Sequence, residues 1–314
     1  MDAGVYIVTG FLESGKTKFI CDMLTDDGFS EGERTLLLVC EEGEEEYDPA
    51  MLKDSNTVMV NLASPDDMAG DKLVALDTQY KPERVIIEYN ATWLLSTLYS
   101  AKKPDNWQLA QIITLIDATT FELYLKNMRQ YMADGIQEGD LIVFNRCTEE
   151  TPKSKWRRAA LAMNNTARIF FENPDGSMDD GVADEDLPFD VSRNPIVIGD
   201  KDFGIFYLDA LEHPERYDGK SIRARGRAFR MKDMPKHCFV FGRHAMTCCV
   251  NDIGGIGFLC KYDKKMPGEN DWIYLTAKAE ASFSPLHGRD ALILIEEKIE
   301  PATAPEEELV YFTN

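Results

Sequence analysis

No stretch of this chain comes near the ~20 consecutive apolar residues that a membrane-crossing helix needs. No basic leader and no cleavage site precede the first apolar run, "GVYIVTG", so the expected location is the cytoplasm. Basic residues are scarce. Lys and Arg number 34 against 55 Asp and Glu, a formal net charge of −21. Phosphate backbones attract basic faces, so this balance argues against DNA or RNA as a main partner. It suits cationic partners or metal ions, and it equally suits a plain role in solubility. The seven cysteines include no C-x-x-C pair, so the spacing of a zinc ribbon is missing. They are scattered apart from Cys248 and Cys249, and in a reducing compartment most are expected free and buried. There is no internal repeat.

What is present falls into two textures. The 314 residues are enough for two domains, each with a core of its own. In the first part, apolar runs suited to buried parallel strands ("VYIVTG", "RTLLLVC", "TVMVNL", "RVIIEY", "IITLID", "DLIVFN") alternate with amphipathic stretches. Phe19, Ile20, Met23 and Leu24 share one helical face. The alternation predicts an α/β domain with a mostly parallel sheet covered by helices. The pattern fades after "TARIFFE", and residues 172–198, rich in Asp, Gly and Pro, read as a linker-like end. From about Tyr217, short strands separated by turn residues predict a small all-β domain, with a five-stranded barrel of the oligonucleotide-binding type as the fold that fits the count. The expected division is 1–195 and 199–314.

"GFLESGKT", Gly10 to Thr17, has the spacing G-x-x-x-x-G-K-[ST], with a strand before it and a helix after it, as a phosphate-binding loop requires. Gly10 and Gly15 let the backbone curl so that N–H groups point inward at phosphate oxygens, and the helix start adds its dipole. Glu13, Ser14 and Lys18 belong to the same stretch. Lys16 is expected on the β- and γ-phosphates, and the Thr17 hydroxyl on Mg²⁺.

The wording "VTGFLESGKT" resembles the CobW-type GTPases, relatives of HypB and UreG. The resemblance continues in order through "LLLVCEEGEEEYD", "RVIIEYNAT", "ITLIDATTFELYL", "GDLIVFNRCTEE" and "NNTARIFF", and covers roughly residues 4–175. It implies a P-loop nucleotide-binding domain, GTP and Mg²⁺ as cofactors, and slow hydrolysis serving as a switch in trafficking of zinc or another transition metal. Lys16 and Glu88 carry the catalytic assignment, and Thr17, Glu41 and Glu88 the Mg²⁺ assignment. Asn145 and Arg146 fall where the family reads the base. A metalloprotein client and a homodimer are among the partners it implies.

Three departures qualify this. The family reads guanine with N-K-x-D, and the segment here is Asn145-Arg146-Cys147-Thr148. Thr148 cannot supply a bidentate carboxylate, a loss of order 1–3 kcal/mol in base discrimination. Glu149 or Glu150 could substitute, so the base stays open. The family's C-x-C-C segment is replaced by "VNLASPDD", without cysteine. The run Glu41, Glu42, Glu44, Glu45, Glu46 remains, either helping to position Mg²⁺ or a water, or forming a solvated loop. Ala91 replaces the glycine after Glu88, which favours a slow NTPase or a nucleotide binder without turnover. Asp117, at the next strand end, is either part of the site or a cap.

In the second part, Arg243 to Asp252 resemble the R-x-x-M-T-C-C-x-x-D signature of the soluble domain in YcgQ-like bacterial proteins, a domain that implies a partnership with a membrane permease. His244, Cys248 and Cys249 are the soft-metal candidates there, against a plain packing role in the barrel. Arg223, Arg225 and Arg227 alternate onto one face, read either as a structural face or as a single-strand nucleic-acid surface.

Overall fold

The computed structural model describes residues 2–30, 32–68, 71–100, 102–181, 187–230, 234–246, 253–263, 267–284 and 289–312. The chain divides into two compact units, residues 1–153 with 163–182, and residues 154–162 with 183–314.

In the first unit the apolar runs become strands β1 (Ala3–Thr9), β2 (Thr35–Val39), β3 (Thr57–Asn61), β4 (Arg84–Glu88), β5 (Trp107–Asp117), β6 (Leu141–Asn145) and β7 (Arg168–Glu172). They pair in parallel in the order β3-β2-β4-β1-β5-β6-β7. This is the α/β sheet that the alternation predicts. Both faces are apolar because helices cover both, so successive residues of β2 and β4 are all buried or nearly so. Val5, Ile7, Leu36, Leu38, Val85 and Ile87 fill one face, and Val8, Leu37, Ile86, Leu115 and Val143 the other.

Helix α1 (Lys16–Thr25) follows β1 directly. Its Ile20 and Leu24, four apart, are fully buried on the second face, while Phe19 and Met23 pack half-buried against the same cluster. Burying a side chain such as Ile20 contributes ~1.5–3 kcal/mol. The segment that reads as a linker holds more structure than its composition suggests. A two-residue strand β8 (Met178–Asp179) turns back antiparallel onto the end of β7.

The second unit contains β9 (Ile196–Val197), β10 (Ser221–Phe229), β11 (Cys238–Met246), β12 (Ile253–Lys261), β13 (Trp272–Ser284) and β14 (Arg289–Pro301). The order β11-β12-β14-β13-β10 closes on itself through pairing of β10 with β11, and only β12 and β14 among these pairs are parallel. That is the five-stranded barrel expected from the strand count. Ile222, Ala224, Gly226 and Ala228 of β10 face inward and the arginines between them face out. A helix that the strand pattern did not announce, Phe203–Glu212, packs Phe203 against Phe241 and Phe206 against Phe258. No helix among the described residues is long and apolar enough to cross a membrane.

Candidate nucleotide-binding site

The loop between β1 and α1 carries the glycines where the backbone needs them. Gly10 has φ 150°, and a Cβ there would sit 2.4 Å from the Leu115 carbonyl oxygen. Gly15 caps α1 in the left-handed region at φ 86° and gives the helix no side-chain cap bond. The first N–H groups of α1 are thus left for a ligand. Ser14 Oγ is buried and has no hydrogen-bond partner. Orphaned donors at a curled loop fit an anion such as a phosphate group.

Lys16 lies inside this loop with only 3 % of its side chain exposed. Its ammonium donates to the carbonyls of Gly10 (2.9 Å) and Phe11 (3.0 Å) and is ion-paired with the Glu41 carboxylate. A carboxylate oxygen here stands where a polyphosphate oxygen would be gripped. Glu41 is therefore separated from the rest of its acidic run, since Glu42, Glu44, Glu45 and Glu46 are exposed to solvent. Glu13, at φ 61°, ties the two loops together by accepting from the Glu44 amide at 2.9 Å.

Beside Lys16, the Thr17 hydroxyl donates to Glu88 Oε1 at 2.9 Å, and Tyr47 donates to Glu88 Oε2 at 2.7 Å. Glu88 ends β4 and is 4 % exposed. Burial pushes its carboxyl up from the ordinary range, against the pull of the Tyr47 and Thr17 hydrogen bonds and of nearby Lys16. Burial and the Glu88 carboxylate push the Tyr47 phenol up as well, so it stays a donor. A hydroxyl and a carboxylate meeting beside a phosphate loop are the hard oxygen donors that Mg²⁺ takes. Burial also drives the Cys40 thiol, next along the chain from Glu41, up to about 12.

Residues 4–171 match the profile of the CobW/HypB/UreG nucleotide-binding domain, more than half of the sequence. The chain belongs to the CobW/HypB/UreG family. Residues 177–312 match a second profile, the DUF1980 C-terminal domain. Among solved structures, Zn(II)-bound YjiA GTPase from E. coli is 18% identical, with 72% of each chain covered and a TM-score of 0.43. A Zn(II)-bound triple mutant of YjiA gives 18%, 72% of each chain and 0.42. Hydrogenase maturation factor HypB from Archaeoglobus fulgidus is 12% identical over 55% of this chain and 81% of its own, with a TM-score of 0.34. No curated protein matches.

Within this CobW/HypB/UreG domain the departures take definite places. Asn145 Nδ2 donates to the Ser14 carbonyl at 2.7 Å, fixing the end of β6 to the phosphate loop. Arg146, at φ 53°, donates to the Glu13 carbonyl at 2.8 Å and is ion-paired with Asp117. Burial opposes ionisation of Asp117, but hydrogen bonds from Thr119 and Arg146 hold its carboxyl below the usual range. Asp117 is thus engaged in a local turn with Thr119 and with Arg146, and it does not cap the helix Phe121–Asn127, whose N-cap is Thr120. The Thr148 amide donates to Thr151 Oγ1 (2.8 Å) and the Thr151 amide to the Thr148 carbonyl (3.1 Å). Glu149 and Glu150 are held exposed on this closed turn. Lys18 borders a cavity of about 620 Å³ together with Gly15, Asn145 and Arg146.

Tyr47 is the residue that sequence reading missed. Its signal was a lone aromatic side chain at the end of a carboxylate run.

Of the soft-metal candidates, Cys248 and Cys249 lie outside the described residues. His244 meets the Phe229 ring edge-on, with centroids 5.2 Å apart. Among the described residues no group of three His, Cys, Asp or Glu side chains could hold a metal ion. The described cysteines, Cys21, Cys40, Cys147, Cys238 and Cys260, are free, and all but Cys21 are buried. The β10 arginines are committed to carboxylates. Arg223 pairs with Glu300 at 2.7 Å, Arg225 with Asp200 and Arg227 with Glu308 at 3.8 Å. They also lie over the rings of Tyr274 and Trp272. This is the structural-face alternative.

Proposed function

We propose that this protein binds a nucleoside triphosphate, GTP by preference, together with Mg²⁺, hydrolyses it slowly, and uses the change as a switch in transition-metal homeostasis. The observation that carries the reading is the convergence of Lys16, Thr17 and Glu88 at one loop, with a carboxylate already seated on the ammonium. Gly10, Ser14, Gly15 and Lys16 would hold the phosphates. Thr17 and Glu88 would hold Mg²⁺, and Glu41 leaves Lys16 when the triphosphate arrives. Mg²⁺ supplies neutralisation of charge developing on the phosphate oxygens. Lys16 adds to that neutralisation. Glu88, kept in place by Tyr47, orients the Thr17 hydroxyl. The switch lies in the link between nucleotide and the 41–47 loop, since both Glu41 and Tyr47 belong to it. Metal trafficking is the purpose that family membership supports, with zinc or another transition metal as cargo and a metalloprotein client or a membrane permease as partner.

A second reading, binding without turnover by a scaffold that docks a permease through its barrel, draws on the loop after Glu88. Asn90 caps Thr92 at 2.9 Å and the Tyr89 hydroxyl holds the Leu94 carbonyl at 3.0 Å, so the Ala91 turn is tied down. Titration calorimetry with GTP and Mg²⁺ tests the shared part. Lys16→Ala is expected to lose binding by at least about 100-fold, and equal binding by the variant overturns the reading. Single-turnover phosphate release above the Lys16→Ala background separates the switch from the scaffold.

A further inference from the structure

The end of the site that reads the base lacks its expected carboxylate, yet the sheet brings another to the same place. β6 and β7 are paired with Val143 opposite Phe170 and Phe144 opposite Phe171. Phe144 and Phe171 stack on each other at 4.8 Å on one side of the sheet. Side chains alternate along a strand, so Val143 and Asn145 of β6, and Phe170 and Glu172 of β7, share the opposite side. That side is the one carrying α1, because Val143 packs in the cluster of Ile20 and Leu24, and Asn145 reaches Ser14. Glu172 therefore stands beside Asn145 in one row at the C-terminal ends of adjacent parallel strands, where open α/β sheets take ligands. Both border the cavity of about 620 Å³, along with Gly15, Lys18, Arg146 and Cys147. The volume lies in the range of small-molecule sites.

Among the described residues no hydrogen bond or ion pair engages the Glu172 carboxylate. The nearby cation that could neutralise it, Lys153, is bound to Asn173 and to Asp179 (2.6 Å). Thr148 is absent from the cavity wall, and Glu149 and Glu150 are turned to solvent.

We infer that Glu172 is the base-reading carboxylate of this chain, taking over from the missing one at position 148, and that the base it selects is guanine. The inference rests on the nucleotide reading above. Guanine presents a ring N–H and an amino group side by side, two donors that one ionised carboxylate accepts together. Adenine offers no such pair on its corresponding edge. Glu172 is a specificity-determining residue in this assignment and takes no part in phosphate chemistry.

The test is titration of the full chain with GTP, ATP and xanthosine triphosphate in the presence of Mg²⁺, for the parent, Glu172→Gln and Glu172→Asp. The parent should prefer GTP to ATP by about 10-fold or more. Glu172→Gln should lose GTP affinity by about 10- to 100-fold, the effect of a charged hydrogen-bonding partner, with ATP changed less than about twofold. Xanthosine triphosphate should gain on GTP, because a carboxamide offers one acceptor and one donor to its ring N–H and carbonyl. Glu172→Asp should recover part of the guanine preference. Unchanged GTP binding in Glu172→Gln overturns the inference, as does an equal loss for GTP and ATP or a parent indifferent to the base. A parent that binds none of the three triphosphates overturns the nucleotide reading itself, and the inference falls with it.

Discussion

Buried charge is handled differently in the two units. In the barrel, Arg243 is wholly buried, yet both terminal nitrogens of its guanidinium are answered on the spot, and only Nε is left without a hydrogen bond. It donates to the carbonyls of Asp200 (2.8 Å), Glu307 (2.6 Å) and Glu308 (3.1 Å) and lies 3.5 Å from the Asp200 carboxylate. These bonds tie the segment after β14 to β11, where Val310 also bridges Ala245. At the phosphate loop, by contrast, the charges Lys16, Glu41 and Glu88 sit at a sheet edge with groups left over. Ser14 Oγ has no partner, and α1 begins without a side-chain cap. Charge satisfied by fixed carbonyls serves the fold, and Lys16 shares in this through Gly10 and Phe11. Charge satisfied by a side chain on a loop can be exchanged for a ligand.

That contrast can be broken most directly at Arg243. Arg243→Met should destabilise the chain by about 3–5 kcal/mol, since it removes the donor shared by the carbonyls of Asp200, Glu307 and Glu308. Urea unfolding followed by circular dichroism reads this, and a midpoint like the parent's would show that the two sites differ less than claimed. Lys16→Ala should do the opposite. Nucleotide binding should fall at least about 100-fold, while the unfolding midpoint moves little because the Glu41 loop can turn to water. Tyr47→Phe is intermediate. It leaves a buried Glu88 oxygen unpaired, at a cost of about 1–3 kcal/mol in thermal unfolding without nucleotide.

A pH experiment sharpens the barrel side. Hydrogen bonds from Arg225 hold the Asp200 carboxyl below its usual range despite burial. A depressed carboxyl gives stability that is present above the unfolded-state value and is lost as pH falls through the folded-state one. Acidification below about pH 4 should therefore weaken the parent more than Asp200→Asn, measured as the difference in unfolding midpoints between neutral and acidic buffer. The smallest effect is expected for Arg223→Lys, whose part-exposed pair with Glu300 should contribute about 0–1 kcal/mol.

Much of this was readable in advance because it depends on local spacing. The strands of the first unit follow apolar runs, and the barrel strands follow short β-rich stretches between turns. The phosphate loop announces itself by two glycines, a lysine and a threonine at set intervals, flanked by a strand and a helix. The helix Phe203–Glu212 escaped notice because it is apolar nearly all round, with Phe203, Gly204, Ile205, Phe206, Leu208 and Ala210 buried, and so shows no helical stripe. Tyr47 escaped, and Glu41 was assigned to Mg²⁺ and not to Lys16, because a run of carboxylates shows no partner until one of them is placed on a lysine 25 positions away.

By itself the amino-acid order determined that a curled, glycine-bearing turn would open a helix after the first strand, because backbone freedom at Gly10 and Gly15 is a property of those residues alone. Only the folded sheet decided which distant side chains complete the site. Glu88, Asn145 and Glu172 arrive at one edge through strand order and pairing register, and no local signal encodes which strand lies beside which.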